Sequence, residues 1–186
     1  MVHCLTLSTL HSLETFAESR GFTKGELEEY EIRLDGDEVI IPTLGRRGAW
    51  YERRYRPGKS PKYLSPADVP NHLYNPLGLG PGAEVVWLAE GEFDCLSLVV
   101  SGAPAVGVLG AGSFRREWAL LFRHARVIVA FDPDMEGDSQ AAKVMGLWPE
   151  GRARRFRVPE PYEDLNDWFV RDYDAFEKEV KAWSNN

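Results

Sequence analysis

Hydrophobic positions change their rhythm partway along the chain. Before Gly82 they are sparse: Leu13, Phe16 and Ala17 recur at helical spacing up to Gly21, and Thr23-Lys24-Gly25-Glu26 carries the capping-box pattern of a second short helix through Tyr30. Residues 38–44 and 49–56 read as strands around the turn Gly45-Arg46-Arg47-Gly48. Pro57, Pro61, Pro66, Pro70 and Pro76, followed by Gly78, Gly80 and Gly82, then predict an irregular stretch. After Gly82 apolar runs alternate with amphipathic ones, predicting strands at 85–89, 105–109, 127–131 and 154–158 and helices at 94–101, 113–122, 138–147 and from Leu165 onward. Strand and helix in turn require right-handed crossovers, hence a mainly parallel sheet with helices on both faces. The fold class is therefore α/β, preceded by a small α+β subdomain, with residues 1–82 and 83–186 as the two domains.

Such sheets bind ligands outside the carboxyl ends of their strands, and the acidic residues stand there. Glu90 follows the first strand directly, Asp132 follows the third with Asp134 two residues on, and Asp94 lies one helical turn beyond Glu90. Asp164, Asn166 and Asp167 open the last helix. Carboxylates crowded at one edge repel one another unless a cation sits between them. Donors that are all oxygen suit Mg²⁺ or Mn²⁺ better than zinc, which points to phosphoryl chemistry. Asp94 and Asp138 also stand where helix caps are expected. Gly91 and Gly137 suit either close backbone approach to phosphate or ordinary turns. Residues 107–112 lack GxGxxG spacing and read as a tight turn facing the acidic edge. Arg152, Arg154, Arg155 and Arg157 alternate around Ala153 and Phe156, which fits an edge strand as well as it fits phosphate contact.

Composition narrows the field. With 186 residues, 44% of them hydrophobic, the chain can bury one good core or one core with an appendage. No apolar run approaches the ~20 residues of a membrane span, and the first residues lack a signal peptide's basic start and long apolar stretch. A cytoplasmic protein is expected. Cys4 and Cys95 form no CxxC pair and read as passive thiols. The net charge of −7 argues against a nucleic-acid partner until its distribution is seen. Between Thr43 and Leu64 stand Arg46, Arg47, Arg53, Arg54, Arg56, Lys59 and Lys62, opposed by Glu52 and interleaved with Trp50, Tyr51, Tyr55 and Tyr63. Cations can meet phosphates while rings stack on bases; the same composition also describes a solvated hairpin edge.

Glu90-Gly91-Glu92-Phe93-Asp94 and Asp132-Pro133-Asp134-Met135-Glu136-Gly137, each behind an apolar strand, resemble the EGxxD and DxDxxG motifs of the TOPRIM domain, with Asp164-Leu165-Asn166-Asp167 as the third acidic motif. That resemblance implies a Rossmann-like TOPRIM sheet. PKYLSPADVPNHLYNPLG, TFAESRGFTKGELEEYEI and VIIPTLGRRGAWYERRYR are similar to segments that precede this domain in DnaG-like bacterial and phage primases. The resemblance covers nearly the whole chain. It departs from the family at Ser65, where Asn follows PKYL, and at a downstream lysine not evident near Asn71-His72.

The resemblance implies a minimal primase core: metal-dependent nucleotidyl transfer on a single-stranded DNA template, with Glu90, Asp132 and Asp134 catalytic and Glu90, Asp94, Asp132, Asp134 and Asp164 holding Mg²⁺ or Mn²⁺. Arg54, Arg56, Lys62, Tyr63, Asn166 and Asp167 are then expected to bind template or nucleoside triphosphates. No zinc ribbon, P-loop or following helical bundle is present in the sequence. Either the chain is a minimal core that works with a replicative helicase or a separate zinc-binding module, or it is a piece of a longer protein. A phage or mobile-element origin, and so a host cytoplasm, fits the first case. A TOPRIM nuclease and a non-catalytic nucleic-acid-binding module are the competing readings.

Overall fold

Two four-stranded sheets organise the chain, seen here in a computed structural model that describes residues 12–44 and 50–185. Cys4 and the expected turn at Gly45–Gly48, with Arg46 and Arg47, lie outside the described residues. The chain divides at Pro70–Asn71 into two compact units. This division precedes the expected one at Gly82, because residues of the proline-rich stretch pack into the second unit. Leu73 belongs to its core, Tyr74 bridges Gly107, and the Asn75 side chain donates to the Ala105 carbonyl at 3.0 Å.

The first unit opens with α1 (Leu13–Ser19), capped by the Ser12 hydroxyl, and α2 (Lys24–Glu29), started by the capping box predicted at Thr23 and Glu26. Strands β1 (Arg33–Asp35), β2 (Glu38–Leu44), β3 (Trp50–Tyr55) and β4 (Tyr63–Leu64) follow in antiparallel order β1-β2-β3-β4. β1 and β4 were not expected. They are three and two residues long, too short to show alternation, and they are fixed by pairing: Arg33 lies opposite Ile40, and Tyr63 opposite Tyr55. Phe16, Ala17, Phe22, Leu27, Val39, Ile40 and Ile41 are buried in this unit.

The second unit is the α/β domain. Its strands β5 (Val85–Ala89), β6 (Ala105–Gly107), β7 (Arg126–Ala130) and β8 (Ala153–Arg155) are parallel throughout in the order β6-β5-β7-β8. Alternate residues feed two cores. Val86, Leu88, Val127 and Val129 face Trp118, Phe122 and α4 (Met135–Met145) through Ala141 and Val144. On the other face Trp87 meets Phe156 with ring centroids 5.0 Å apart, and Phe156 meets Trp168 of α5 (Leu165–Arg171) and Trp183 of α6 (Tyr173–Ser184). Each such ring pair contributes about 0.5–1.5 kcal/mol beyond burial of its area. α3 (Glu92–Val100) packs on this second face against β5, β6 and α5.

Four expected elements differ. The helix at 113–122 is two 3-10 segments, Ala111–Ser113 and Arg116–Phe122, neither with a side-chain cap to satisfy its opening N–H groups. The helix from Leu165 is two helices, because Asp172 leaves helical geometry and its carboxylate accepts the Ala175 N–H at 3.3 Å to start α6. The strands at 105–109 and 154–158 end early, at Gly107 and Arg155. Among the described residues no helix is long and apolar enough to cross a membrane.

Candidate active site at the carboxyl edge of the parallel sheet

β5 connects to β6 on one side and has β7 on the other, so the carboxyl ends of β5 and β7 form the point at which chain connections diverge. Ligands of open α/β sheets bind in the crevice there. Ala89 pairs with Ala130 in register, which places Glu90 and Asp132 side by side just past the sheet. The Asp132 N–H donates to Glu90 Oε2 at 3.1 Å. Gly110, at φ +104, donates its N–H to the Glu90 carbonyl at 3.1 Å, so the glycine turn after β6 does border the acidic edge.

Asp134 caps α4, its Oδ1 accepting the Gly137 N–H at 2.7 Å. Asp164 caps α5 in the same way, with Oδ1 accepting from the Asp167 N–H at 2.6 Å. Capping occupies one lone pair of a carboxylate, which carries about four. Asp94 lies in the first turn of α3 and does not cap it, since Gly91 holds the N-cap position; its Oδ1 accepts the Asn166 N–H of α5 at 3.0 Å. Asp138 likewise does not cap α4 but pairs with Arg155 and Arg157 at 2.9 and 2.6 Å.

Charge gathers on Asp132. Burial first, then the negative charges of Glu90, Asp164 and Asp134, push its carboxyl up to about 7, with the Arg155 guanidinium opposing them. The structure thus brings Glu90, Asp132, Asp134 and Asp164 into one electrostatic neighbourhood. Asp94 is linked to α5, whose cap is Asp164, through the Asn166 N–H. Among the described residues no three acidic, histidine or cysteine side chains converge as a ready-made metal cage. A carboxyl whose pKa is raised by burial and by acidic neighbours is nonetheless a place where a cation lowers the energy, and a donor set of oxygens fits Mg²⁺ or Mn²⁺.

Asn166 is buried, its amide nitrogen donating to Ser97 Oγ at 3.0 Å, so its side chain joins α5 to α3 rather than facing the crevice. Asp167 is held by the Glu163 N–H at 3.1 Å and by Arg171 at 2.9 Å. Gly137 packs against the Asp132 backbone: a Cβ there would strike the Asp132 carbonyl. That close approach to protein backbone replaces the approach to phosphate read from sequence. Cys95 is a buried free thiol, its pKa raised by burial and then by Asp94.

The nucleic-acid-binding candidates of the first unit fall into two groups. Arg54 bonds Asp35 and Glu38 at 2.9 and 3.0 Å, which raises its pKa further, and Arg56 approaches Glu38 at 3.8 Å. Lys62 is exposed over the rings of Tyr55 and Tyr63, 5.7 and 5.9 Å from their centroids, while Arg53 covers the Tyr63 ring at 4.2 Å. Sequence reasoning missed the part played by Arg155 and Asp138. The alternation of arginines around Phe156 was the visible signal, but which carbonyls they reach depends on the sheet order.

The Toprim-like family matches residues 87–169. The Gene 57 protein of Mycobacterium phage D29 is 35% identical over 119 residues, covering 61% of this chain and 73% of that protein. Among solved structures, the primase fragment of the bacteriophage T7 primase-helicase protein superposes with a TM-score of 0.71 at 20% identity, covering 88% of this chain and 72% of that one. The DnaG primase catalytic domain bound to single-stranded DNA gives a TM-score of 0.73 at 20% identity, over 92% of this chain and 71% of that one. The chain belongs to the same family as the phage D29 Gene 57 protein, with a Toprim-like domain and the fold of the DnaG-like primase catalytic core.

Proposed function

We propose that the chain is a minimal primase core that joins nucleotides on a single-stranded DNA template. The observation that carries this reading is the placing of Glu90 beside Asp132 at the carboxyl edge of a primase-type fold, where burial and then the charges of Glu90, Asp164 and Asp134 raise the Asp132 carboxyl to about 7. The DnaG domain to which the chain is similar is one bound to single-stranded DNA, which supports a template partner. The T7 protein whose fold is similar is a primase-helicase by name, which supports a helicase partner here.

In nucleotidyl transfer a 3′-hydroxyl attacks the α-phosphate of a nucleoside triphosphate and pyrophosphate leaves. Asp132, Asp134, Glu90 and Asp164 would hold Mg²⁺ or Mn²⁺, with Asp94 supporting from α3. When bound, the ion would stabilise charge on the attacking oxygen, the transferred phosphoryl group and the pyrophosphate. Glu90 accepts the Asp132 N–H through one oxygen, and its carboxylate would take the hydroxyl proton. Lys62 and Tyr63 offer a cation and a ring to the nucleic acid, whereas Arg54 and Arg56 mainly hold β3 to β1 and β2 through Asp35 and Glu38.

The test is a reaction containing single-stranded template, labelled ribonucleotides and Mg²⁺ or Mn²⁺. Short oligomers that vanish in Asp132→Asn with Asp134→Asn are the expected product. Strand cleavage instead would identify a Toprim nuclease, and metal binding with neither product a non-catalytic module.

A further inference from the structure

Three successive carbonyls of the loop between β7 and α4 are claimed by two arginines. Arg155 Nη1 donates to the Phe131 carbonyl at 2.9 Å, Arg155 Nη2 to the Asp132 carbonyl at 3.0 Å, and Arg157 Nη2 to the Pro133 carbonyl at 2.8 Å. Asp138 joins the two arginines. Its Oδ1 accepts from Arg155 Nη2 at 2.9 Å and Nε at 3.3 Å, and its Oδ2 accepts from Arg157 Nη1 at 2.6 Å. Arg155 also donates to Phe156 and Val129 carbonyls at 2.6 and 3.3 Å, and its side chain is 18% exposed.

We propose that Arg155 and Arg157, bridged by Asp138, are positioning residues that fix the Asp132–Asp134 loop in the arrangement the acidic site requires. This inference rests on the metal-site reading above. The physical case is geometric. A peptide plane is set once its carbonyl direction is set, and three consecutive planes determine where the Asp132 and Asp134 side chains leave the backbone. The two peptide groups flanking the Asp132 Cα are both held, the N–H by Glu90 and the carbonyl by Arg155, with Gly137 abutting the same oxygen. Such a task needs the rigid five-donor fork of arginine, because a lysine ammonium carries charge without directing it along several carbonyls. The rest of the arginine run also has partners within the protein: Arg152 caps the 3-10 segment through the Phe122, Arg123 and Ala125 carbonyls, and Arg154 covers the Trp183 ring at 4.6 Å.

The experiment compares Arg155→Met, Arg155→Lys, Arg157→Met and Asp138→Asn with the unaltered chain in two readouts, Mn²⁺ affinity by electron paramagnetic resonance and amide exchange of residues 131–137. Arg155→Met is expected to weaken Mn²⁺ binding about 10- to 100-fold, the usual effect of removing groups that orient metal ligands, and to speed exchange at the Asp132 and Gly137 amides. Arg155→Lys rescues neither readout. Arg157 is more exposed at 59%, so Arg157→Met keeps the fold and shows the same changes in smaller measure. Unchanged exchange in Arg155→Met and Arg157→Met overturns the inference. Rescue of both readouts by lysine also overturns it, since charge alone would then suffice. Loss of nucleotide binding with loop exchange and Mn²⁺ affinity unchanged would assign the arginines to phosphate instead. If the unaltered chain binds no Mn²⁺ that Asp132→Asn with Asp134→Asn abolishes, the metal-site reading fails, and the exchange data still decide the positioning role on their own.

Discussion

The Asp132 main-chain N–H donates to Glu90 Oε2 at 3.1 Å, joining two acids that stand 42 residues apart in the chain. One acid is thereby placed by the other, and the two charges are brought close. Burial first, and then the charges of Glu90, Asp164 and Asp134, raise the Asp132 carboxyl to about 7.

That rise predicts a pH-dependent stability. The folded-state pKa lies above the unfolded value of about 3.9, so the folded protein binds the proton more tightly. The contribution is full below the unfolded pKa and is lost as pH rises from about 4 through about 7. Thermal melts in chelator should therefore show stability falling across this window, with Mg²⁺ restoring it at pH 8. Asp132→Asn should flatten the profile and melt higher than the unaltered chain at pH 8 without metal. A profile identical in both proteins would place the titration elsewhere.

Gly137→Ala should destabilise the second unit by about 1–3 kcal/mol, the usual cost of forcing extra volume into packed structure. The added methyl would meet the Asp132 carbonyl, which has no room to withdraw because Arg155 holds it. Urea unfolding measures the loss directly.

Asn166→Ala removes the amide that donates to Ser97 Oγ in a buried setting. A cost of about 1–3 kcal/mol is expected, read by urea unfolding. Asp94→Asn keeps an acceptor for the Asn166 N–H and should cost far less. If the alanine variant is as stable as its parent, the link between α3 and α5 lies elsewhere.

Lys62→Ala should weaken single-stranded DNA binding while leaving the melting temperature in place, and should reduce the slope of log K against log salt by about 0.7. Arg54→Ala should instead lower the melting temperature, because Asp35 and Glu38 lose their shared partner. Fluorescence anisotropy across a salt series separates the two.

The acidic centre was legible because its residues lie directly after strands whose apolar runs are unmistakable. Val85–Ala89 is buried throughout, and its length gave away both the element and the position of Glu90. The capping box at Thr23 and Glu26 was legible for a similar reason, being a local rule with local atoms. What escaped depended on distant partners. β4 exists only because Tyr63 and Leu64 find Tyr55 and Arg54, and a two-residue strand has no period of its own. Asp94 and Asn166 were assigned by motif position to metal and nucleotide, but the structure spends at least part of each on the other: the Asp94 carboxylate takes the Asn166 N–H. Asp138 could be mistaken for a cap because no sequence spacing reveals that β8 lies beside β7 and delivers Arg155 to it.

Asp134 and Asp164 each perform two tasks with one side chain, contributing charge to the crevice and opening a helix. Asparagine caps a helix about as well as aspartate. The exchange of one carboxylate oxygen for an amide nitrogen at either position would therefore remove charge and leave α4 or α5 begun as before. The charge of the crevice and the folding of the helices that carry it are thus separable, each exchange needing a single codon change and neither taking away a cap.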